Sequence, residues 1–189
     1  MVDMMHQVSF MRRQTHHREG WVTASVANFV AKPHTPFQWA PMLESEKIVE
    51  IQSRIKRSLR SRKIRVDFHA PFATLLEGSI SRGNRRMAEV LYRAWKHGAY
   101  LDGWKEHFKK EAWEQAFQET GISPSFYLYR EIPSHERLPW QHLRGGVSHD
   151  FLWREWEKAK NGTITPNCMQ GQCNGCGLDP KNCYRPETI

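Results

Sequence analysis

Four cysteines close to the end of the chain are the residues whose type and spacing most clearly suggest chemistry. Cys168, Cys173, Cys176 and Cys183 follow the pattern C-x4-C-x2-C-x6-C, with three glycines interleaved. Four thiolates complete either a structural zinc site or an iron–sulfur cluster. Glycines between ligands let the backbone turn tightly and let amide groups point at sulfur. The spacing therefore predicts a metal or iron–sulfur site formed by these four residues.

The local clustering of the cysteines also bears on redox state. The chain has no cysteine before Cys168, and disulfides stabilise a fold chiefly by closing loops across it. Four cysteines within so short a segment cannot form disulfides that close loops across the fold. We therefore expect reduced cysteines and a cytoplasmic location.

The spacing leaves two kinds of metal site open. The run C-x4-C-x2-C is similar to the plant-type ferredoxin spacing, although the fourth cysteine of those proteins lies much further along the chain. Structural zinc sites more often use two C-x2-C hooks, and this chain has one, Cys173 to Cys176. We favour an iron–sulfur cluster and keep zinc as the alternative.

The rest of the sequence, which must position the cysteine segment, predicts an α+β fold that is mostly helical. Residues 21–30 (WVTASVANFV) are rich in β-branched and aromatic residues and predict a strand buried on both faces. A second short strand is predicted at 64–69, and the region 122–139, with three prolines, is expected to be a loop. Helices are predicted at 44–62, 71–79, 84–97, 106–120 and 148–160, the last with Ser148 as its N-cap.

Several predicted helices have a clear apolar face. Ile48, Ile51, Ile55 and Leu59 recur at intervals of three and four residues, which predicts one buried stripe on the first helix. Two later helices follow the same pattern. Their predicted inward residues are Met87, Val90, Leu91, Ala94 and Trp95, and then Phe108, Ala112, Trp113, Ala116 and Phe117.

Charge and composition narrow the class of protein. The chain has 189 residues, a formal net charge of +8 and a pI near 9.5. A basic protein of this size favours an anionic partner such as RNA, although an acidic protein domain or a solvated surface explains the charge equally well. No run of about 18 apolar residues occurs, so we expect no membrane contact. Residues 1–20 lack the apolar core of a secretory signal.

Two further groups are candidate binding residues. His34 lies between Pro33 and Thr35 in a rigid loop, where it could contact a cofactor or simply pack. Arg82, Arg85 and Arg86 flank a glycine before a predicted helix. They could bind phosphate or nucleic acid at the helix N-terminus, or be solvated there.

Seven segments of the sequence together resemble one known family. They are 25–41 (SVANFVAKPHTPFQWAP), 83–86 (GNRR), 94–95 (AW), 140–143 (WQHL), 146–148 (GVS), 151–152 (FL) and 165–168 (TPNC). In this order they resemble the C-terminal part of radical SAM proteins that carry a cobalamin-binding domain. The resemblance covers the chain from about residue 20 to its end.

The resemblance implies an architecture in three parts. Residues 1–43 would be the end of a partial radical SAM barrel, with 21–30 as its last strand and the loop KPHTPFQW near the barrel mouth. Residues 44–163 would be a helical accessory region, and 164–189 a cysteine-rich tail. S-adenosylmethionine and cobalamin would belong to a full-length family member.

The sequence departs from the family pattern in two respects. The radical-generating motif C-x3-C-x2-C and the cobalamin domain are both absent. The last cysteine usually follows its neighbour more closely, so we expect Cys183 to contribute less than the other three. These departures indicate a C-terminal fragment, a split-gene product or a remnant that is not catalytic alone, with the missing domains expected on a separate partner chain. The alternative is a stand-alone, zinc-stabilised basic module that binds RNA.

Overall fold

The computed structural model describes residues 1–178 and Cys183, and it confirms a mostly helical α+β fold. Its described residues contain seven α-helices, one 3₁₀ helix and two strands. The helices are α1 Val2–His16, α2 Ser45–Ser58, α3 Pro71–Arg82, α4 Met87–Lys96, α5 Lys110–Thr120, α6 Pro124–Leu128 and α7 His149–Lys160, and the 3₁₀ helix is Pro36–Trp39. None of these helices combines the length and apolar character that crossing a membrane requires.

The chain forms two compact units. Unit 1 contains Met1–Val30 and Met42–Glu77, and unit 2 contains Ala31–Pro41 and Gly78–Ile189. These units do not follow the predicted divisions at residues 43 and 163. A segment can pack with residues far from it in sequence, and the loop 31–41 does so.

Unit 1 is built on a parallel pair of strands. Strand β1, Val22–Val26, pairs with β2, Ile64–Phe68, in a register that places Val22 opposite Ile64. Helix α2 lies between them in sequence, so the three elements form a β-α-β unit, the usual way to connect parallel neighbours. Both predicted strands are confirmed, and they pair with each other as the two strands of one parallel sheet.

Strand β1 differs from its prediction in length and burial. It covers five residues, and its side chains alternate between partly buried and exposed positions. Trp21, just before it, is 64% exposed. The expectation of a strand buried on both faces is therefore wrong. The alternation is that of a sheet with one covered face, where small and β-branched residues also occur on the exposed side.

Helix α1 was not predicted, because its sequence has little apolar periodicity. Met5 and Ser9 are its buried residues. The Ser9 hydroxyl donates to the Gly20 carbonyl oxygen at 2.7 Å, and the Gly20 amide donates to the Ser9 carbonyl oxygen at 2.9 Å. These two hydrogen bonds tie the helix to the segment that enters β1.

Helix α2 follows its predicted face but is shorter than expected. Ile48 is buried and Ile51 and Ile55 are partly buried, whereas the helix ends at Ser58 and Leu59 is extended. The Ser61 hydroxyl accepts the Lys63 amide at 3.2 Å, which forms a turn leading into β2. Residues 59–63 therefore form the connection from α2 back to the sheet.

Unit 2 contains the remaining helices, with three differences from prediction. Helix α3 runs past 79 to Arg82, and its last turn belongs to this unit. Helices α4 and α5 begin later than predicted, because residues 84–86 and 104–108 form turns. Helix α6 lies inside the predicted loop, where Pro124 occupies its first turn.

The predicted helix faces are largely confirmed. On α5, Ala112, Trp113, Ala116 and Phe117 are buried as predicted, whereas Phe108 precedes the helix and is only partly buried. On α4, by contrast, Leu91 is 41% exposed and Trp95 is 57% exposed, so both were wrongly assigned to the core. The stripe on α4 is narrower than its apolar sequence indicates.

The main core cluster of unit 2 lies around the 3₁₀ helix and α7. Trp39 has no exposed surface, and it packs edge-to-face against Trp153 with ring centres 5.0 Å apart. The other buried members of this cluster are Ala40, Ile132, Leu138, Trp140, Leu152 and Trp156. The loop 31–41 thereby becomes part of the core.

The predicted N-cap of α7 provides a test of local stability. The Ser148 hydroxyl accepts the Phe151 amide at 3.2 Å, which satisfies one of the free donors at the helix start. We expect Ser148→Ala to lower the free energy of unfolding by about 1 kcal/mol, measured by urea denaturation. Ser134→Ala, an exposed loop serine, is the matched control, and an equal loss in both variants would contradict the capping role.

Candidate metal centre

Hydrogen bonds hold the cysteine segment against helix α7 and the loop before it. The Ser148 amide donates to the Cys176 carbonyl oxygen at 2.7 Å, and the Arg154 guanidinium donates to the Gly175 carbonyl oxygen at 3.2 Å. A Cβ atom on Gly177 would lie 2.7 Å from the Ser148 Cβ, and Gly177 has a φ of +86°. A glycine is needed here for both its conformation and its close approach.

Cys173 and Cys176 form the best-defined part of the candidate site. The Gly175 amide donates to the Cys173 sulfur at 3.5 Å, and Gly175 has a φ of +64°. The Asn174 side-chain amide donates to the Pro166 carbonyl oxygen at 2.8 Å. The expectation that an interleaved glycine points an amide at sulfur is confirmed for this pair.

The four cysteines differ in exposure, and their side chains are not arranged around a common metal position. Cys173 is exposed, whereas Cys168, Cys176 and Cys183 are partly buried, and none is joined to another described cysteine by a disulfide. Across residues 1–178 and Cys183, no three His, Cys, Asp or Glu side chains converge on one point. The donor types fit a thiolate site, but their positions would have to close around the metal. The predicted four-cysteine ligation stays a prediction.

His34 lies in a strained but well-held turn. Its φ is +57°, which is uncommon for a residue with a side chain. Its amide donates to the Gln38 side-chain oxygen at 3.0 Å, and the Trp140 indole N–H donates to the same oxygen at 2.7 Å. Gln38 is 2% exposed, so one buried amide oxygen joins this turn to the segment around Trp140.

A cavity of about 290 Å³ lies beside His34. Its walls come from the loop that contains His34 and Gln38 and from residues 138–149. A Cβ atom on Gly145 would lie 2.9 Å from the His34 Nδ1 atom, so the glycine permits the two loops to meet. The structure therefore brings together two segments that are about 100 residues apart in the chain.

The cysteine segment reaches the edge of the same cavity. Gly146 and Ser148 line it, and a Cβ atom on Gly146 would lie 3.1 Å from the Leu178 side chain. With the Ser148–Cys176 hydrogen bond described above, the Cys173–Cys176 hook is attached to a cavity wall that also includes His34.

The three candidate arginines do not act as one group. Arg82 is 2% exposed and its guanidinium donates to the carbonyl oxygens of Ala40 and Arg130. Arg85 and Arg86 are exposed, and Arg85 lines a second cavity together with Arg82. The Arg86 amide donates to the Asn84 side-chain oxygen at 3.0 Å, so that amide is already occupied by the chain's own cap.

Sequence reasoning missed Gln38 and Gly145. Neither belongs to a residue pattern that indicates chemistry, and their importance depends on contacts with residues distant in the chain. The flanking prolines and the Gly145-Gly146 pair are the signals that could have marked these loops as sites of unusual backbone conformation.

Comparisons with protein-family models, with curated proteins and with solved structures find no match to this chain. The resemblance to radical SAM proteins therefore rests on the motifs in the sequence.

The role of Gln38 can be tested by removing its acceptor. We expect Gln38→Leu to lower the free energy of unfolding by about 2 kcal/mol or more, because it leaves the His34 amide and the Trp140 indole N–H unpaired. Gln141→Leu, at an exposed position in the neighbouring segment, is the matched control. Similar urea midpoints for both variants would show that the shared hydrogen bonds contribute little.

Proposed function

We propose that this chain is the C-terminal part of a radical SAM enzyme and that its cysteine segment binds an auxiliary iron–sulfur cluster. The observation that carries the proposal is the convergence of three separate segments in unit 2. The loop with His34 and the loop with Gly145 line one cavity, and the Cys173–Cys176 hook is hydrogen-bonded through the Cys176 carbonyl oxygen to Ser148 in the wall of that cavity. His34 and Ser148 lie in segments on which the family resemblance rests, 25–41 and 146–148, and Cys168, at the start of the cysteine segment, lies in a third, 165–168.

The sheet of unit 1 also supports a role as part of a larger assembly. Among the described residues only β1 and β2 are strands, and each has one edge without a strand partner. A two-stranded sheet is marginally stable by itself and exposed edges readily pair with further strands. A radical SAM domain, on the same protein or on a partner chain, would supply such strands.

The predicted cluster would be held by the hook first. Cys173 and Cys176 would bind as a pair, while Cys168 and Cys183 would complete the ligand set as the segment closes. A bound iron–sulfur cluster would supply electron transfer or an iron open to substrate, whereas zinc would act as a structural crosslink. S-adenosylmethionine cleavage would require the C-x3-C-x2-C motif that these 189 residues lack.

Metal analysis of protein purified without oxygen tests this proposal. We expect iron and acid-labile sulfide in the wild-type protein, and loss of both in Cys173→Ser and Cys176→Ser, because each removes a thiolate from the hook. Cys183→Ser should retain part of the metal. The readouts are iron, sulfide and zinc content, together with the visible absorption of the cluster and its loss on reduction.

Met169→Ser serves as the control for these variants, since it changes a sulfur-containing residue of the same segment that the proposal does not use. Unchanged metal content in Cys173→Ser would refute the proposed site. Zinc without iron or sulfide would refute the cluster and favour the second candidate.

The second candidate is a zinc-stabilised module that binds RNA, and the surface of α2 favours it. Arg54, Lys56 and Arg57 are exposed on that helix. The Lys56 ammonium lies 5.4 Å from the centre of the Phe68 ring. Exposed cations beside aromatic rings are common in proteins that bind single-stranded nucleic acid.

RNA binding at α2 can be distinguished experimentally from attraction of RNA to the overall positive charge of the protein. If the second candidate is correct, Arg54→Gln/Arg57→Gln should weaken binding of a single-stranded RNA and reduce its salt dependence, because fewer phosphate charges are neutralised. Lys105→Gln/Lys109→Gln removes the same charge elsewhere on the exposed surface. Equal binding by both double variants in a fluorescence titration would exclude α2 as the RNA surface.

A further inference from the structure

A second cavity in unit 2 is strongly basic. It has a volume of about 570 Å³ and lies between residues 82–85, at the end of α3 and in the turn that follows, and residues 126–142. Four arginines line it, Arg82, Arg85, Arg130 and Arg137, together with a single carboxylate, that of Glu136. The volume is typical of pockets that hold small organic ligands.

Arg82 places a buried positive charge in the wall of this cavity. Its side chain is almost fully buried, and the two acceptors it reaches are backbone carbonyl oxygens, those of Ala40 and Arg130. Its Nε atom has no hydrogen-bond partner. No carboxylate among the described residues accepts a hydrogen bond from this guanidinium, and the charge of Glu136 offsets only part of the cost of its burial.

Burial is the main cause that lowers the pKa of Arg82 to about 10, and the nearby charge of Arg130 adds to the effect. The group therefore stays protonated at neutral pH. The positive charge persists in the cavity wall under ordinary conditions.

Glu136 does not neutralise this cavity. Its two carboxylate oxygens accept hydrogen bonds from the Arg130 guanidinium at 2.6 and 2.5 Å. This bond lowers the pKa of Glu136, so the carboxylate is ionised and committed to Arg130. With four arginines and one carboxylate among its lining residues, the cavity keeps an excess of positive charge.

We propose that this cavity binds a small phosphate-bearing anion, with Arg85 and Arg137 as its direct ligands and Arg82 as the buried charge behind them. Arg85 and Arg137 are both exposed, so their guanidinium groups are free to turn toward a ligand. Planar guanidinium groups match phosphate oxygens with paired, charge-assisted hydrogen bonds. The site is separate from the cysteine segment and does not depend on its metal.

The concave arrangement favours a small anion over a nucleic-acid strand. The arginines surround one cavity and do not form a continuous stripe. Beside them lies Phe126, 57% exposed, with the Arg130 guanidinium 4.7 Å from its ring centre. An organic group attached to the phosphate would find an apolar surface there.

Calorimetric titration with inorganic pyrophosphate tests the proposal on the full chain. We expect saturable binding that Arg85→Gln and Arg137→Gln each weaken about tenfold, which corresponds to about 1.4 kcal/mol, through loss of charge-assisted hydrogen bonds. Arg86→Gln is the matched control, because Arg86 is adjacent and exposed but does not line the cavity. It should change the affinity less than twofold.

A second measurement on the wild-type protein does not depend on variants. Pyrophosphate should protect Arg85 and Arg137 from modification by phenylglyoxal, while Arg86 remains reactive, as read by peptide mass spectrometry. Absence of saturable pyrophosphate binding would overturn the proposal. Equal weakening in all three variants, or equal protection of all three arginines, would also overturn it, because either result indicates general charge attraction.

Discussion

The burial of one polar side chain, that of Gln38, is the constraint on which unit 2 depends most. Its carbonyl oxygen accepts hydrogen bonds from the His34 amide and the Trp140 indole N–H. A buried amide without partners would be costly, whereas a satisfied one restricts its surroundings to a single arrangement. Trp39, next in the chain and fully buried, adds the apolar part of the same anchor. An irregular loop thereby becomes as fixed as the helices around it.

Both ends of that loop are also held by polar contacts with the end of α3. The Lys32 ammonium donates to the Ser81 hydroxyl at 3.3 Å, and the Arg82 guanidinium donates to the Ala40 carbonyl oxygen. Arg82 thus has two roles in the fold: it satisfies the backbone of the loop, and it brings positive charge to the basic cavity. A buried arginine whose acceptors are carbonyl oxygens fixes geometry while leaving its charge available to a nearby anion.

The cysteine segment is attached to α7 and to the residue before it by hydrogen bonds to its backbone carbonyl oxygens. The Ser148 amide and the Arg154 guanidinium donate to carbonyl oxygens of the hook, and no three His, Cys, Asp or Glu side chains of the described residues form a group that could hold a metal ion. Metal ligation commonly couples to local folding, since the ion supplies the free energy that gathers its ligands.

The sequence alone determined the features that depend on near neighbours. The Ser148 cap, the inward face of α5 and both strands were predictable because capping and periodicity are encoded within one or two turns or a few residues of strand. Tertiary structure alone decided the parallel pairing of β1 with β2, the tie between α1 and Gly20, and the meeting of His34 with Gly145. It also decided that Arg82 is buried and that Arg85 and Arg86 are exposed. These outcomes depend on contacts between residues that are distant in the chain. The free energies of such contacts cannot be read from a local sequence pattern.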